Sequence, residues 1–294
     1  MLVRVKQHAA DGDLPITAAG VAFYALIATF PGLLALLSLY GIAFDRAEQS
    51  SQLAFLQGQL QPDAMYLLVA LLRGLGDADR SRLGLGAAGG ALFTLWGASL
   101  GVRALIRALN VAYGEKEKRS LLARHGVALL LTGGAIAVAF CIGVALMGLP
   151  VLGQGWGLSA VSQRLVFYGR WPVVAVMFWL SLLVFYRYGP SRTAARWSWV
   201  SWGALIATAL WLAGSGVLAW YVAGSPRSYE AYGSVALIVL VLAWFLLSAL
   251  SVILGAEINA ELERQTRKDT TVGIEKPRGE RGASAADDLG ASAA

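Results

Sequence analysis

Few residues of this sequence carry side chains able to act on a substrate, and those few lie inside or at the ends of long apolar runs. Tyr24, Thr29 and Pro31 share the first run. Proline removes a backbone donor and crowds the preceding turn, which predicts a kinked helix with free carbonyls near Ile27. Broken helices of that kind line substrate sites in transporters; membrane helices also tolerate them as plain kinks, satisfied by a group such as Thr29. Arg103, Arg107 and Asn110 recur at helical spacing, so one helix face offers three donor groups suited to a phosphate or other anionic headgroup. The same arginines read equally as charges marking a membrane boundary, stems buried and heads in water. Glu257 and Asn259 close the last apolar run. A carboxylate placed there can pair with Arg103 or Arg107, or carry a coupling proton. Gly86, Gly90, Thr94, Gly97 and Gly101 fall on one stripe, which predicts close packing of the second run against another helix.

Other chemistries have no residues to support them. His8 and His125 lack partners at metal-ligand spacing, and Cys141 is the single cysteine, so neither a metal centre nor a disulfide framework is expected. No G-x-x-x-x-G-K-[ST] phosphate loop occurs. The expectation is a chain that is not an enzyme and takes no cofactor or metal.

What holds these residues in place is lipid. Of the 294 residues, 57% are hydrophobic and only 14% charged, against about 25% charged in an ordinary soluble domain. Apolar runs at 18–44, 84–102, 126–149, 171–186, 200–223 and 235–256 can each cover the hydrocarbon core, the fourth most tightly. The expected fold class is all-α, a polytopic membrane helical bundle of about six transmembrane helices. Arg4 and Lys6 precede the first run, which is too long for a cleaved signal peptide. A net charge of +6 would fit nucleic acid, but the basic residues flank apolar runs, as topology signals do. Arg103, Arg107, Lys116, Lys118, Arg119 and Arg124 lie between spans two and three, and Arg187, Arg192 and Arg196 between spans four and five. With the basic tail, these put both termini in the cytoplasm. The first outer loop holds apolar stretches at 53–60 and 65–75, expected as short amphipathic helices, and residues 158–168 read similarly. The domain reading is a six-span membrane domain over residues 1–262 and a disordered polar cytoplasmic tail over 263–294.

Four stretches carry a resemblance: Ala22-Phe23-Tyr24-Ala25-Leu26 with Phe30-Pro31; Arg103 to Tyr113; Tyr186-Arg187-Tyr188-Gly189-Pro190 with Trp197 and Gly203-Ala204; and Tyr232-Gly233-Ser234 leading to Leu254-Gly255-Ala256-Glu257-Ile258-Asn259-Ala260. In order and spacing the chain resembles the YihY/BrkB family of bacterial inner-membrane proteins. The resemblance implies a six-span protein of the bacterial plasma membrane, with transport of lipid or envelope components as the proposed role. A ribonuclease label once attached to that family is regarded as mistaken, and the resemblance supplies no catalytic residues.

The functional expectation is a transporter or flippase for a lipid-like or amphipathic envelope component; the alternative is a non-transporting scaffold in envelope assembly. Expected partners are membrane lipids and, for the scaffold, envelope-assembly proteins. Nucleic acid is not expected, and an oligomer is compatible with either reading. The topology is testable. Cysteines introduced at Glu117 and in the tail should be shielded from impermeant thiol reagents in intact cells, while one near Asp63 should react; labelling at Glu117 from outside would reverse the orientation.

Overall fold

The computed structural model describes residues 14–43, 69, 80–148, 160–224 and 226–288. Among these the chain is helical: α1 Leu14–Ala43, α2 Arg80–Ala112, α3 Leu121–Gly143, α4 Ala160–Tyr188, α5 Trp197–Gly224, α6 Pro226–Arg264 and the short α7 Ser284–Asp287. A π-helical turn, Val144–Gly148, extends α3. Six of the helices are long and apolar enough to cross a bilayer, and large side chains such as Leu92, Leu130, Leu165 and Trp220 stay exposed on them. A helix apolar on its outer as well as its inner face has lipid for a neighbour. The chain is a multi-pass membrane protein.

The fourth span differs from expectation. Residues 160–168 are not a separate interfacial stretch but the first turns of α4, which continues through Pro172. Helix formation outlasts the apolar window because the backbone still needs internal partners at the membrane boundary. The stretches 53–60 and 65–75 fall outside the described residues, apart from Val69.

The structure divides into two compact units. Residues 24–98 form the smaller, in which α1 packs against α2 along the stripe of small residues. A side chain at Gly90 would come within 2.8 Å of the Pro31 carbonyl oxygen and 3.1 Å of the Ala35 nitrogen, and one at Gly97 would meet Ala28 at 3.3 Å. The stripe is a packing face, as its spacing predicts. Helix α1 stays helical on both sides of Pro31.

Residues 1–23 and 99–294 form the larger unit. Its main core joins Leu109 and Tyr113 of the α2 end, Leu182 and Tyr186 of α4, Val200, Ala204 and Ala207 of α5, Val252, Ala256 and Ala260 of α6, and Ala285 of α7. Small residues dominate because α5 and α6 cross at Gly203 and Gly255. A side chain at Gly203 would overlap the Gly255 carbonyl and the Asn259 amide; one at Gly255 would overlap the Tyr186 hydroxyl. Further along, Trp211 of α5 donates to Ser248 of α6 at 3.0 Å, and Trp244 of α6 donates to Ser215 of α5 at 3.0 Å. These reciprocal bonds leave neither of the two indole N–H groups unpaired in hydrocarbon.

Beyond α6, residues 265–288 depart from the disorder expected of the tail. The Arg196 N–H donates to Thr270 at 2.9 Å and the Val272 N–H to Ala194 at 2.9 Å, around an antiparallel bridge between Ala195 and Thr271. The Thr193 N–H reaches Gly282 at 3.1 Å. The buried Arg281 guanidinium donates to the carbonyls of Lys276, Lys268, Ala286 and Arg267. One arginine thus holds this segment together by giving four of its backbone acceptors a common donor.

The α5–α6 crossing gives a direct test. Gly203→Ala should destabilise the protein by about 1–3 kcal/mol, because the added methyl forces the backbones apart. Gly216→Ala, where nothing lies within 4 Å, should be neutral or stabilising by up to about 1 kcal/mol. Thermal unfolding in one detergent compares them; equal effects would mean the crossing is not tight.

Candidate functional site

The polar end of the larger unit begins where α2 stops. Gly114 takes the left-handed conformation (φ 68), its N–H bonds to Val111 at 2.9 Å, and the Glu115 N–H bonds to Asn110 at 2.7 Å. This paired closure consumes two of the carbonyls a helix end leaves open, and Arg264 donates to a third, that of Ala112, at 3.4 Å. Arg119 covers the end of α4 in the same way, donating to the carbonyls of Gly189 and Tyr188 at 3.0 Å each and to that of Pro190. Cations at helix C-termini meet both the open carbonyls and the negative end of the dipole.

Asn110 and Asn259, expected near a substrate, serve as clasps. The Asn110 side-chain oxygen accepts from the Ser191 N–H at 2.7 Å, and its NH2 donates to Glu117 at 3.2 Å. The Asn259 oxygen accepts from the Gly203 N–H at 2.7 Å, and its NH2 donates to the Val200 carbonyl at 3.1 Å. Each amide therefore spends its acceptor and one N–H of its NH2 on a neighbouring segment.

The centre of this end is an ion pair that the sequence reading missed. Arg192 meets Glu263 with two bonds of 2.8 Å, both side chains fully buried, and its guanidinium lies 4.1 Å from the centre of the Tyr113 ring. Thr270 donates to Glu263 at 3.0 Å. Burial alone would disfavour the charged guanidinium, but contact with Glu263 outweighs it and holds the Arg192 pKa above its ordinary value. Burial raises the Tyr113 hydroxyl pKa well above the usual phenol range, with Arg192 opposing. At Glu117 burial works to raise the pKa, yet the Arg119 N–H, the Arg119 charge and the Asn110 amide together hold it below the carboxylate range. The same balance, set by the Lys276 and Thr271 donors and Arg281, lowers that of Asp269. Both carboxylates keep their charge, and their contacts, until the pH falls well into the acid range.

The remaining candidates separate. Tyr24, Thr29 and Pro31 belong to the smaller unit, where the Thr29 hydroxyl donates to the Ala25 carbonyl at 2.8 Å. Arg103 bonds to Ser99 and approaches His125, and Arg107 is exposed. Glu257 pairs with neither arginine, which corrects that expectation. It is 3% exposed and makes no hydrogen bond or ion pair with any described residue. One turn earlier on α6, Ile253 packs on Leu14, Ala18, Ala108 and Ala249, and no arginine of α2 reaches the carboxylate. Signals for the missed groups were present in the Tyr113-Gly114 helix stop and in the Gly189-Pro190 turn, though Arg192 and Glu263 stand out only once their helices are paired. Among the described residues no group of three His, Cys, Asp or Glu side chains could hold a metal ion.

No solved structure matches this chain. It is 30% identical over 257 residues to YfkH, a protein of Bacillus subtilis (strain 168) named as ribonuclease-like, covering 85% of this chain and 90% of that one. A UPF0761 membrane protein, MS0032 of Mannheimia succiniciproducens, is 28% identical over 158 residues, 53% of each chain. Another UPF0761 membrane protein, from Histophilus somni (strain 2336), is 26% identical over 186 residues, 61% of this chain and 62% of its own. The family model described as virulence factor BrkB matches residues 5–280, a span that holds all six membrane helices, the buried Arg192–Glu263 pair and most of the folded-back tail, and the chain belongs to that family.

Proposed function

We propose that this protein is a transporter or flippase for a lipid-like or amphipathic component of the cell envelope, working in the bacterial inner membrane with its Arg192–Glu263 end in the cytoplasm. The observation that supports this most is Glu257. A carboxylate in a membrane helix is costly, and one without a structural partner marks a functional group by default. Its task would be to hold a proton or a cationic headgroup in one state and release it in another. Arg264 and Glu261 are the charged groups whose fields reach it. The sequence has no nucleotide-binding loop, so energy would come from a proton gradient, a partner or the substrate's own gradient. A nuclease reaction is not part of this reading: of the two histidines, the described one, His125, lies against Leu121 and Arg103.

A scaffold for envelope assembly is the second reading, favoured by the asparagine clasps and the folded tail. Such knitting suits a surface that holds still.

Purified full-length protein in liposomes with fluorescent lipids separates the two. The transporter reading expects lipid movement above that of protein-free vesicles, falling about tenfold or more in Glu257→Gln, equivalent to at least ~1.4 kcal/mol in the barrier, with an unchanged melting temperature. Pro31→Ala and Tyr24→Phe, assayed alongside, ask whether α1 lines the path; both should stay folded and lose activity. A folded, fully active Pro31→Ala protein would remove α1 from it. Movement no faster than in empty vesicles would favour the scaffold.

A further inference from the structure

The inner faces of α2 and α3 leave a group of cations without a counterion. Arg103 Nε donates to the Ser99 carbonyl at 3.2 Å, Nη2 reaches the Ser99 hydroxyl at 3.4 Å, and Nη1 lies 3.4 Å from His125 Nε2. His125 Nδ1 sits 2.7 Å from the Leu121 carbonyl, which can only accept, so Nδ1 carries the proton and Nε2 is the acceptor facing Arg103. None of the groups around Arg103 is a carboxylate. Arg107, one turn further along the same face, is exposed and bonds to no described residue. Arg124 adjoins His125 at the start of α3.

Neither α2 nor α3 contains an aspartate or glutamate. The two carboxylates in the loop between them are engaged elsewhere. Glu115 accepts from the Ser284 N–H at 2.6 Å and lies 3.7 Å from Lys118; Glu117 is held by Asn110 and Arg119. A half-buried guanidinium without an anion carries a desolvation cost that nothing within the described chain repays.

The surroundings indicate what repays it. Leu129 and Leu130, about one turn into the membrane from His125 on α3, are 49% and 79% exposed. Cationic forks beside lipid-facing apolar side chains match an amphiphile with an anionic head and hydrocarbon tails. We propose that Arg103 and Arg107, the former oriented by His125, form a site for the phosphate of an anionic phospholipid in the adjoining leaflet, its acyl chains running into the membrane past Leu129 and Leu130. Arg103 supplies a fork geometrically suited to two phosphate oxygens; Arg107 adds charge at the headgroup level. The site stands apart from Glu257 and does not depend on whether the chain moves a substrate.

The test is a lipid titration of the detergent-purified full-length protein, followed by native mass spectrometry, with phosphatidylglycerol against phosphatidylcholine. Phosphatidylglycerol should bind more tightly. Arg103→Gln and Arg107→Gln should each weaken it roughly fivefold, as expected for one interfacial cation, and leave phosphatidylcholine unaffected. Arg107→Lys should retain most of the preference, and Arg164→Gln, outside the site, all of it. Melting temperatures confirm that the variants fold. Equal affinity for the two lipids, or an undiminished preference in a folded double glutamine variant, would overturn the site. Displacement of phosphatidylglycerol by inorganic phosphate at equal concentration would overturn the lipid assignment, since it would show a free-anion site.

Discussion

Where α5 crosses α6, the two backbones come so close at Gly203 and Gly255 that no side chain fits between them, and that approach determines what can be built above it. It brings Asn259 within reach of the α5 backbone at Val200 and Gly203, and it lets the Tyr186 hydroxyl donate to the Val252 carbonyl at 2.7 Å. With α4, α5 and α6 so held, the loop after α4 presents Arg192 to Glu263 at the last turn of α6. Moving the crossing by one methyl would change the length of each of these bonds. Separating Arg192 from Glu263 would leave a charge buried without compensation, which costs several kcal/mol.

The basic residues at this end have two tasks. Read along the sequence they are topology charges, a tally of Lys and Arg beside apolar runs. In the structure Arg119, Arg187, Arg264 and Arg281 donate to main-chain carbonyls at helix ends and turns. These tasks do not compete. A helix C-terminus at the membrane edge has open carbonyls and a negative dipole end, so the cation that marks the boundary is also the group that satisfies it. Arg103 and Arg107 differ because they lie well inside α2: Arg103 reaches only the Ser99 carbonyl of its own helix, and Arg107 bonds to no described residue.

The six spans were legible because a run of about twenty apolar residues has one solvent that suits it. Their ends were less so. Hydropathy stops near 102, 186 and 256, while α2 continues to Ala112 and α6 to Arg264, and α4 starts as early as Ala160; hydropathy senses hydrocarbon, whereas helix length follows hydrogen bonding. Asn110 and Asn259 were noticed for being polar next to lipid, but their partners lie in other segments and could not be read from spacing. Glu257 was matched to Arg103 and Arg107 by depth alone, and depth does not say which face of α6 it occupies. The tail was opaque for a different reason. Its order rests on bonds from Arg281, Asp269 and Asp287 to the main chain, which composition does not register.

The tail's attachments also impose an order on biosynthesis. Arg192 emerges 71 residues before Glu263, and Glu115 emerges 169 residues before Ser284. Over the 71 residues after Arg192 and the 169 after Glu115, then, a guanidinium and a carboxylate wait at the membrane surface for partners still to be made, and the larger unit cannot close vectorially from its N-terminus. A chain released early, by a premature stop or a stalled ribosome, would show both groups bare.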